Sequence, residues 1–261
     1  MKLPLYQVDA FTNQIFAGNP AAIVPLNEWI SDELMVNIAA ENNLAETAFY
    51  VPSENGFDIR WFTPSVEVDL CGHATLATAF VIFNIQGYEG DLIRFNSRSG
   101  ELTVTRNEDW LTLNFPVDSY HIAVPPPALV EGLKSGTVQE VYKGKTDYMV
   151  VLDSEAEVRD LEMDIIILST IPARGIIVTA PGEDVDFVSR FFAPQSGIDE
   201  DPVTGSAHTT LIPYWAEKLS KTTLTAKQLS KRGGFLQCEL VNDRVNIGGQ
   251  GRLYLQGELE I

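Results

Sequence analysis

The sequence has few cysteines and few basic residues, and each shortage excludes a class of protein. Its 261 residues include two cysteines, Cys71 and Cys238, which are too few for a scaffold built on disulfides. Lys and Arg number 18 against 36 Asp and Glu, so the formal net charge is −18. Nucleic acids and anionic membranes attract basic surfaces, which a chain this acidic does not supply. We therefore expect neither as a partner.

Long apolar runs are also missing from the sequence. No stretch approaches the roughly 20 apolar residues that span a membrane, and residues 1–10 lack the apolar segment of a signal peptide. These absences, with the low cysteine content, predict a cytoplasmic protein. The chain nevertheless has the material for a packed core, because 45% of its residues are hydrophobic and 10% are aromatic, while only 21% are charged.

A proline-rich segment divides the chain. Three consecutive prolines in Val124–Pro127 cannot lie inside a helix or a central strand. We therefore predict one domain over residues 1–118 and a second over 119–261, with the last strand free to cross back to the first.

Two pairs of similar motifs support this division. Arg60–Pro64 matches Arg190–Pro194 at an offset of 130 residues, and Cys71–Thr75 matches Thr204–His208 at an offset of 133. Two matches at nearly one offset predict that the halves share a topology.

A glycine opens each of two predicted helices. Gly72 precedes a helix that starts at His73, and Gly205 with Ser206 precedes a second helix. The free N–H groups of a helix N-terminus bind carboxylate or phosphate without a basic side chain. If the two halves face each other across a cleft, both helix ends could hold one small anion. The alternative is that both are ordinary helix starts.

Ionisable side chains surround these helix starts. His73 lies in a first turn, where the helix dipole favours the neutral imidazole. Asp199, Glu200 and Asp201 precede the second helix, and they either cap it or supply one carboxylate to a site. Glu46 follows an apolar pair and precedes a strand, so partial desolvation would raise its pKa and suit it to proton transfer. The alternative for Glu46 is an ordinary strand-edge glutamate.

Motifs for metals and organic cofactors are missing. Cys71 and His73 lack further ligands at a zinc-site spacing, so we predict no metal. Gly248–Gly251 precedes a strand, whereas the glycines of a dinucleotide fingerprint follow one. Cys71 is accordingly expected to be a small packed residue.

Five short motifs follow one another in order along the chain. They are Asp9–Thr12 with Gly18–Ala22, Asn43–Phe49, Arg60–Pro64, Asp69–Thr75 and Asp201–Ala207. Together they resemble the phenazine-biosynthesis isomerase (PhzF-like) family. The resemblance implies an α+β fold like that of diaminopimelate epimerase, with two pseudo-symmetric domains, each a curled β-sheet around a central α-helix. It also implies a site between the domains, a homodimer, and no metal or organic cofactor.

The resemblance implies roles for individual residues. Glu46 matches the general acid/base of the family, and His73 and Asp201 match polar partners that would take part in catalysis. The implied substrate-binding residues are Asn19, Gly72, His73, Gly205 and Ser206.

The implied function is isomerisation of a small carboxylated metabolite by moving one proton. Related epimerases use two cysteines, whereas this chain has Cys71 at the first position and Thr204 at the second. A threonine cannot supply a thiolate, which favours isomerisation over inversion. Two alternatives stay open: an epimerase or racemase of the same fold with unequal bases, and a non-catalytic protein that binds small anions.

Overall fold

A computed structural model describes residues 1–134 and 136–261 and contains both strands and helices. The elements in the first part of the chain are β1 (Lys2–Ala10), β2 (Asn19–Pro25), α1 (Asp32–Asn42), β3 (Glu46–Ser53), β4 (Gly56–Phe62), β5 (Glu67–Val68), α2 (Gly72–Phe80), a π-helical turn (Val81–Ile85), β6 (Leu92–Ser97), β7 (Gly100–Asn107) and β8 (Trp110–Pro116).

The remaining elements alternate between short strands and short helices, with one longer helix. They are β9 (His121–Ile122), α3 (Pro127–Gly132), β10 (Glu140–Lys143), β11 (Tyr148–Val151), α4 (Glu155–Arg159), α5 (Ile165–Leu168), β12 (Ile176–Pro181), β13 (Phe187–Phe192), two 3₁₀ turns (Pro194–Ser196 and Gly205–Ala207), α6 (His208–Leu219), β14 (Thr223–Gln228), β15 (Gly234–Val241), β16 (Arg244–Gly249) and β17 (Gly251–Glu260).

The chain forms two compact units. The first contains Met1–Asn114 and Gly248–Ile261, and the second contains Phe115–Ile247. The sequence predicts halves of 1–118 and 119–261, with the last strand free to cross back to the first half. The C-terminal residues belong to the first unit because β17 pairs antiparallel with β1 along its whole length. The proline-rich segment lies within the second unit, where Pro127 is the first residue of α3, a position that tolerates proline.

The strands of the two units pair in the same order. In the first unit β1–β2 is antiparallel, β2–β3 parallel, β3–β4 antiparallel, β4–β6 parallel and β6–β7 antiparallel. In the second unit β10–β11, β11–β12, β12–β13, β13–β14 and β14–β15 repeat this succession. The longer buried helix falls at the same point in each series, with α2 between β4 and β6 and α6 between β13 and β14. The predicted repeat of topology is therefore confirmed.

Each unit packs its strands around this central helix. All seven residues from His73 to Ala79 of α2 are buried, and α2 contacts β1, β2 and β3. In the second unit α6 buries seven side chains, including Leu211, Ile212 and Trp215, and contacts β14 and β15. Burial of most of the length of a helix is what a central position in the core requires.

The first helix illustrates how local sequence sets an element. The Ser31 side chain accepts a hydrogen bond from the Leu34 N–H, and two acidic residues occupy the first turn, both favourable at a helix N-terminus. The predicted cap at Ser31 is confirmed. Met35 and Ile38 are buried with Phe49 in one apolar cluster.

The repeated Arg60–Pro64 and Arg190–Pro194 motifs have matching structures. The Arg60 guanidinium binds both carboxylate oxygens of Glu67, at 2.7 and 2.6 Å, and lies over the Phe62 ring. Arg190 binds both oxygens of Glu200, at 2.7 and 3.0 Å, and lies over a phenylalanine two residues on. Glu200, left open as a site carboxylate, is therefore held in an ion pair.

The helices of the described residues are short. The longest, α6, has 12 residues, and none in this part of the chain is long and apolar enough to cross a membrane.

Candidate active site

Three polar side chains meet in the first unit because their elements start next to one another. Asn19 is the first residue of β2 and Glu46 is the first of β3. These strands are parallel neighbours, with Ala21 opposite Glu46. Gly18 makes the approach to β2 possible, because its φ is +64° and a Cβ there would lie 2.1 Å from the Ala10 carbonyl oxygen. His73 reaches the same place from the first turn of α2.

His73 lies between the other two side chains. Its Nε2 is 3.2 Å from Glu46 Oε2, and its Nδ1 is 3.2 Å from Asn19 Nδ2. Only 6% of the His73 side chain and 14% of the Glu46 side chain are exposed. We call Asn19, Glu46 and His73 the carboxylate–imidazole cluster. It offers a nearly buried carboxylate with a small opening to solvent.

The imidazole of His73 is neutral. Burial lowers its pKa from 6.5 to about 3, because a charged ring loses its hydration there. This direction agrees with the neutral ring that the sequence predicts, with burial rather than the helix dipole as its cause. When the Asn19 amide donates to Nδ1, the ring proton is on Nε2, the nitrogen that lies 3.2 Å from Glu46 Oε2. The ring can then orient Glu46 without itself carrying charge.

Cys71 completes the surroundings of His73. It is the N-cap residue of α2, makes no capping hydrogen bond, and is buried. Its Sγ is 3.5 Å from His73 Nδ1. One donor atom from each of Glu46, Cys71 and His73 lies within 4.8 Å of the others, so these are the residues that could hold a metal. Carboxylate, thiolate and imidazole are ligands that zinc accepts, whereas the sequence predicts no metal here.

The second glycine-led helix start differs from its prediction. Gly205–Ala207 forms a 3₁₀ turn, and the α-helix begins at His208. Side chains form hydrogen bonds with backbone carbonyl oxygens at this turn. His208 Nδ1 lies 2.9 Å from the Thr204 carbonyl oxygen, and the Thr209 hydroxyl donates to the Ser206 carbonyl oxygen at 2.7 Å. These contacts compete with regular α-helical bonding.

Asp201 belongs to a buried network in front of this turn. The Thr204 hydroxyl donates to Asp201 Oδ2 at 2.5 Å. The Gln228 amide donates to the Asp201 carbonyl at 2.7 Å and accepts from the Thr204 N–H at 2.8 Å. The side chain of Gln228 therefore fixes the backbone on both sides of Pro202. Thr204, at the position of the second epimerase cysteine, has its hydroxyl committed to Asp201.

Ser206 has a basic partner that the sequence analysis missed. Arg174 Nη1 donates to Ser206 Oγ at 2.8 Å, and Arg174 also binds both oxygens of Asp147. Arg174 and Gln228 belong to no motif, and they lie 32 and 24 residues from the groups they contact. No sequence pattern singles out either residue.

The structure groups the predicted residues by unit. It brings Asn19, Glu46 and His73 together in the first unit, where Gly72 is the first residue of α2. Asp201, Gly205 and Ser206 lie in the second unit, within or just before the 3₁₀ turn. Gly72 and Gly205 are both helical residues, so neither serves a left-handed turn.

Comparisons with known proteins identify the family of the chain. Residues 8–257 match the family model described as phenazine biosynthesis-like protein. A relative from Pseudomonas aeruginosa, named an uncharacterized isomerase, is 47% identical over 261 residues, covering all of both chains. The crystal structure of a PhzF family protein from Enterococcus faecalis covers all of both chains, with 46% identity and a TM-score of 0.97.

A more distant structure shares the fold alone. A predicted epimerase from Pseudomonas aeruginosa is 18% identical, with a TM-score of 0.74 over 98% of this chain and 99% of that one. The fold is therefore the epimerase-like one that the motifs implied. From the family match, the full-length relatives and the close structural likeness, the chain belongs to the phenazine biosynthesis-like (PhzC–PhzF) family and is an isomerase.

Proposed function

We propose that the protein isomerises a small carboxylated metabolite without a cofactor, with Glu46 as its general acid/base. The observation that carries the proposal is the nearly buried Glu46 carboxylate, 3.2 Å from the neutral ring of His73. The ionised carboxylate takes a proton from a carbon next to an electron-withdrawing group. The protonated Glu46 then returns that proton to a different carbon of the same substrate, so nothing is oxidised or reduced.

The neighbouring groups support this proton transfer. The His73 Nε2–H orients the carboxylate and stabilises its charged form before the proton moves. Asn19 holds the ring in the tautomer that this requires. Because the site is nearly buried, an electrostatic interaction within it is stronger than it would be in water.

Both units contain further proposed groups. Asp201 is proposed as a second polar catalytic group, with its carboxylate held by the Thr204 hydroxyl. Gly72 and His73 in the first unit, and Gly205 and Ser206 in the second unit, are each proposed as substrate-binding residues through backbone and side-chain donors. The homodimer and the cytoplasmic location stay predictions, and sizing by light scattering tests the first of them.

Solvent-exchange NMR tests the proposal. The protein is incubated in D₂O with small carboxylic acids, including cyclic dienes and amino acids, and deuterium entry at carbon is followed. We expect exchange and a new constitutional isomer with the unmodified protein, and a rate about 10²–10⁴-fold lower with Glu46→Gln. Glu41→Gln, which changes an exposed glutamate on α1, is the matched control and should keep the full rate.

Three outcomes separate this proposal from its alternatives. A full rate in folded Glu46→Gln would remove Glu46 as the proton carrier. A diastereomer or enantiomer as the product would indicate the epimerase alternative, and saturable binding with no exchange would indicate a binding protein.

Dialysis against EDTA should leave the rate unchanged, whereas a loss restored by Zn²⁺ would assign a metal to Glu46, Cys71 and His73.

A further inference from the structure

Arg174 is fixed on two sides. Its Nε donates to Asp147 Oδ1 at 2.9 Å and its Nη2 binds Asp147 Oδ2, while the guanidinium lies 5.2 Å from the centre of the Phe191 ring. Asp147 is 3% exposed, so the carboxylate that holds Arg174 is fixed within the packed unit. A bidentate pair of this kind fixes the plane of the guanidinium as well as its position.

This fixed guanidinium determines how Ser206 can bond. Arg174 Nη1 donates to the Ser206 oxygen at 2.8 Å, so the Ser206 hydroxyl hydrogen points elsewhere and is available as a donor. Three of the five guanidinium N–H groups serve Asp147 and Ser206, which leaves two for other acceptors. The combined donors suit an acceptor with two oxygens, such as a carboxylate.

Comparison with Arg190 separates this arrangement from an ordinary structural ion pair. Arg190 also binds a carboxylate through two nitrogens and also lies over a phenylalanine, but 14% of its side chain is exposed and it donates further to the Leu161 carbonyl. The Arg174 side chain is 38% exposed and reaches a hydroxyl in the predicted substrate-binding turn. Arg174 is therefore the one of this pair that a ligand can reach.

We propose that Arg174 is a substrate-positioning residue that recognises the carboxylate of the substrate. Held by Asp147, it orients the Ser206 hydroxyl as a donor and adds its own remaining N–H groups. This inference rests on the proposed function in one respect, namely that the substrate is carboxylated. The sequence predicts that helix N–H groups bind the anion without a basic side chain. In this proposal the Arg174 guanidinium binds it together with the backbone of Gly205 and Ser206.

Benzoate, with benzamide as its uncharged isostere, provides a test that needs no knowledge of the true substrate. The backbone amide signals of Gly205 and Ser206 are followed by NMR while sodium benzoate is added at constant ionic strength. We expect these signals to move saturably with benzoate, and to move at least about tenfold less readily with benzamide, because a charged acceptor bonds more strongly. Unmodified protein in which they do not move saturably would overturn the inference.

Variants of two arginines complete the test. Arg174→Lys keeps a positive charge beside Asp147 but cannot bind a carboxylate and a hydroxyl as a planar fork, so benzoate affinity should fall at least about tenfold. Ser206→Ala should weaken benzoate binding in the same direction, and Arg174→Gln should abolish it. Arg190→Lys is the matched control and should bind benzoate like the unmodified protein. Thermal unfolding of every variant checks that it is folded.

The result is independent of the proton-transfer proposal. Glu46→Gln should bind benzoate normally, because no proton is moved. Loss of benzoate binding in Arg174→Lys with unchanged thermal stability would support the positioning role, and unchanged binding in folded Arg174→Lys and Arg174→Gln would contradict it. Failure of exchange with intact benzoate binding would contradict the proposed function alone.

Discussion

His73 and His208 are buried histidines near the start of the central helix of their units, and their surroundings differ. Burial lowers both pKa values, to about 3 for His73 and about 4 for His208. The His73 ring faces the Asn19 amide and the Glu46 carboxylate. His208 Nδ1 bonds the Thr204 carbonyl, while Nε2 has no hydrogen-bond partner among residues 1–134 and 136–261. The lowered pKa of a histidine therefore shows only that its ring is buried. Whether the ring can assist proton transfer depends on the groups that it contacts.

The largest expected effect is on the deuterium-exchange rate, which substitution of His73 should lower and substitution of His208 should not. His73→Asn removes the Nε2–H that faces Glu46, so we expect deuterium exchange to slow about 10²–10³-fold. His73→Gln places an N–H near the former Nε2 and should recover part of that loss. His208→Asn keeps a donor near the Thr204 carbonyl and should retain the rate within about threefold. Exchange rates at saturating substrate measure all three.

Stability measurements accompany these rates. Urea unfolding shows whether a slow variant is simply unfolded. The comparison breaks if His208→Asn, still folded, slows exchange as much as His73→Asn does, since His208 would then act on the reaction.

The next effect compares the two arginine–glutamate pairs. Arg190→Met leaves the partly buried Glu200 carboxylate without its ion-pair partner, and it removes the hydrogen bonds that Arg190 donates to the carbonyl oxygens of Val158 and Leu161. We therefore expect the free energy of unfolding to fall by about 3 kcal/mol. Arg60→Met should cost less, about 1–2 kcal/mol, because Arg98 also binds Glu67, at 2.7 Å. Urea unfolding of both variants measures the difference. Equal losses would show that Arg98 gives no compensation.

A smaller effect is the pH dependence that the buried histidines cause. Each has a lower pKa in the native state than the value of about 6.5 expected when unfolded, so the unfolded state binds more protons between these values. The contribution of the two neutral histidines to the free energy of unfolding is therefore fully present above about pH 6.5, and it is lost progressively as the pH decreases. Between pH 7 and pH 5 each histidine should account for about 2 kcal/mol of the free energy of unfolding. Replacing His208 by Asn should remove its share, and an unchanged pH dependence would contradict the neutral assignment.

The sequence predicted those features that depend on short local patterns. The cap at Ser31 and the repeat joining Arg60 to Arg190 are written in neighbouring residues, and the structure contains both. The five motifs, in their order along the chain, resemble those of one family, and the fold was predicted from that resemblance. Glu46 and His73 were recognisable because each lies in such a motif.

Features that depend on distant contacts were missed. Arg174 reaches Ser206 across 32 residues, and Gln228 reaches Thr204 across 24, without any periodic signal. The 3₁₀ turn at Gly205 arises from side-chain bonds to its carbonyl oxygens, which compete with the helix that the motif suggests. The return of the C-terminal strand to β1 was allowed for in the sequence, and the structure contains it. The boundary itself lies between residues 114 and 115, whereas the sequence predicts it between 118 and 119.

The smallest expected effect concerns Cys71 and Thr204, which occupy the positions of the two epimerase cysteines. Cys71 is 6% exposed, and its Sγ lies 3.5 Å from His73 Nδ1 and 4.0 Å from His73 Nε2. If Glu46 alone carries the proton, Cys71→Ala should change the exchange rate by less than about threefold, and iodoacetamide should not inactivate the protein. A hundredfold loss in folded Cys71→Ala would instead make the thiol a base. Because the Thr204 hydroxyl is committed to Asp201, that result would favour an epimerase with unequal bases over an isomerase.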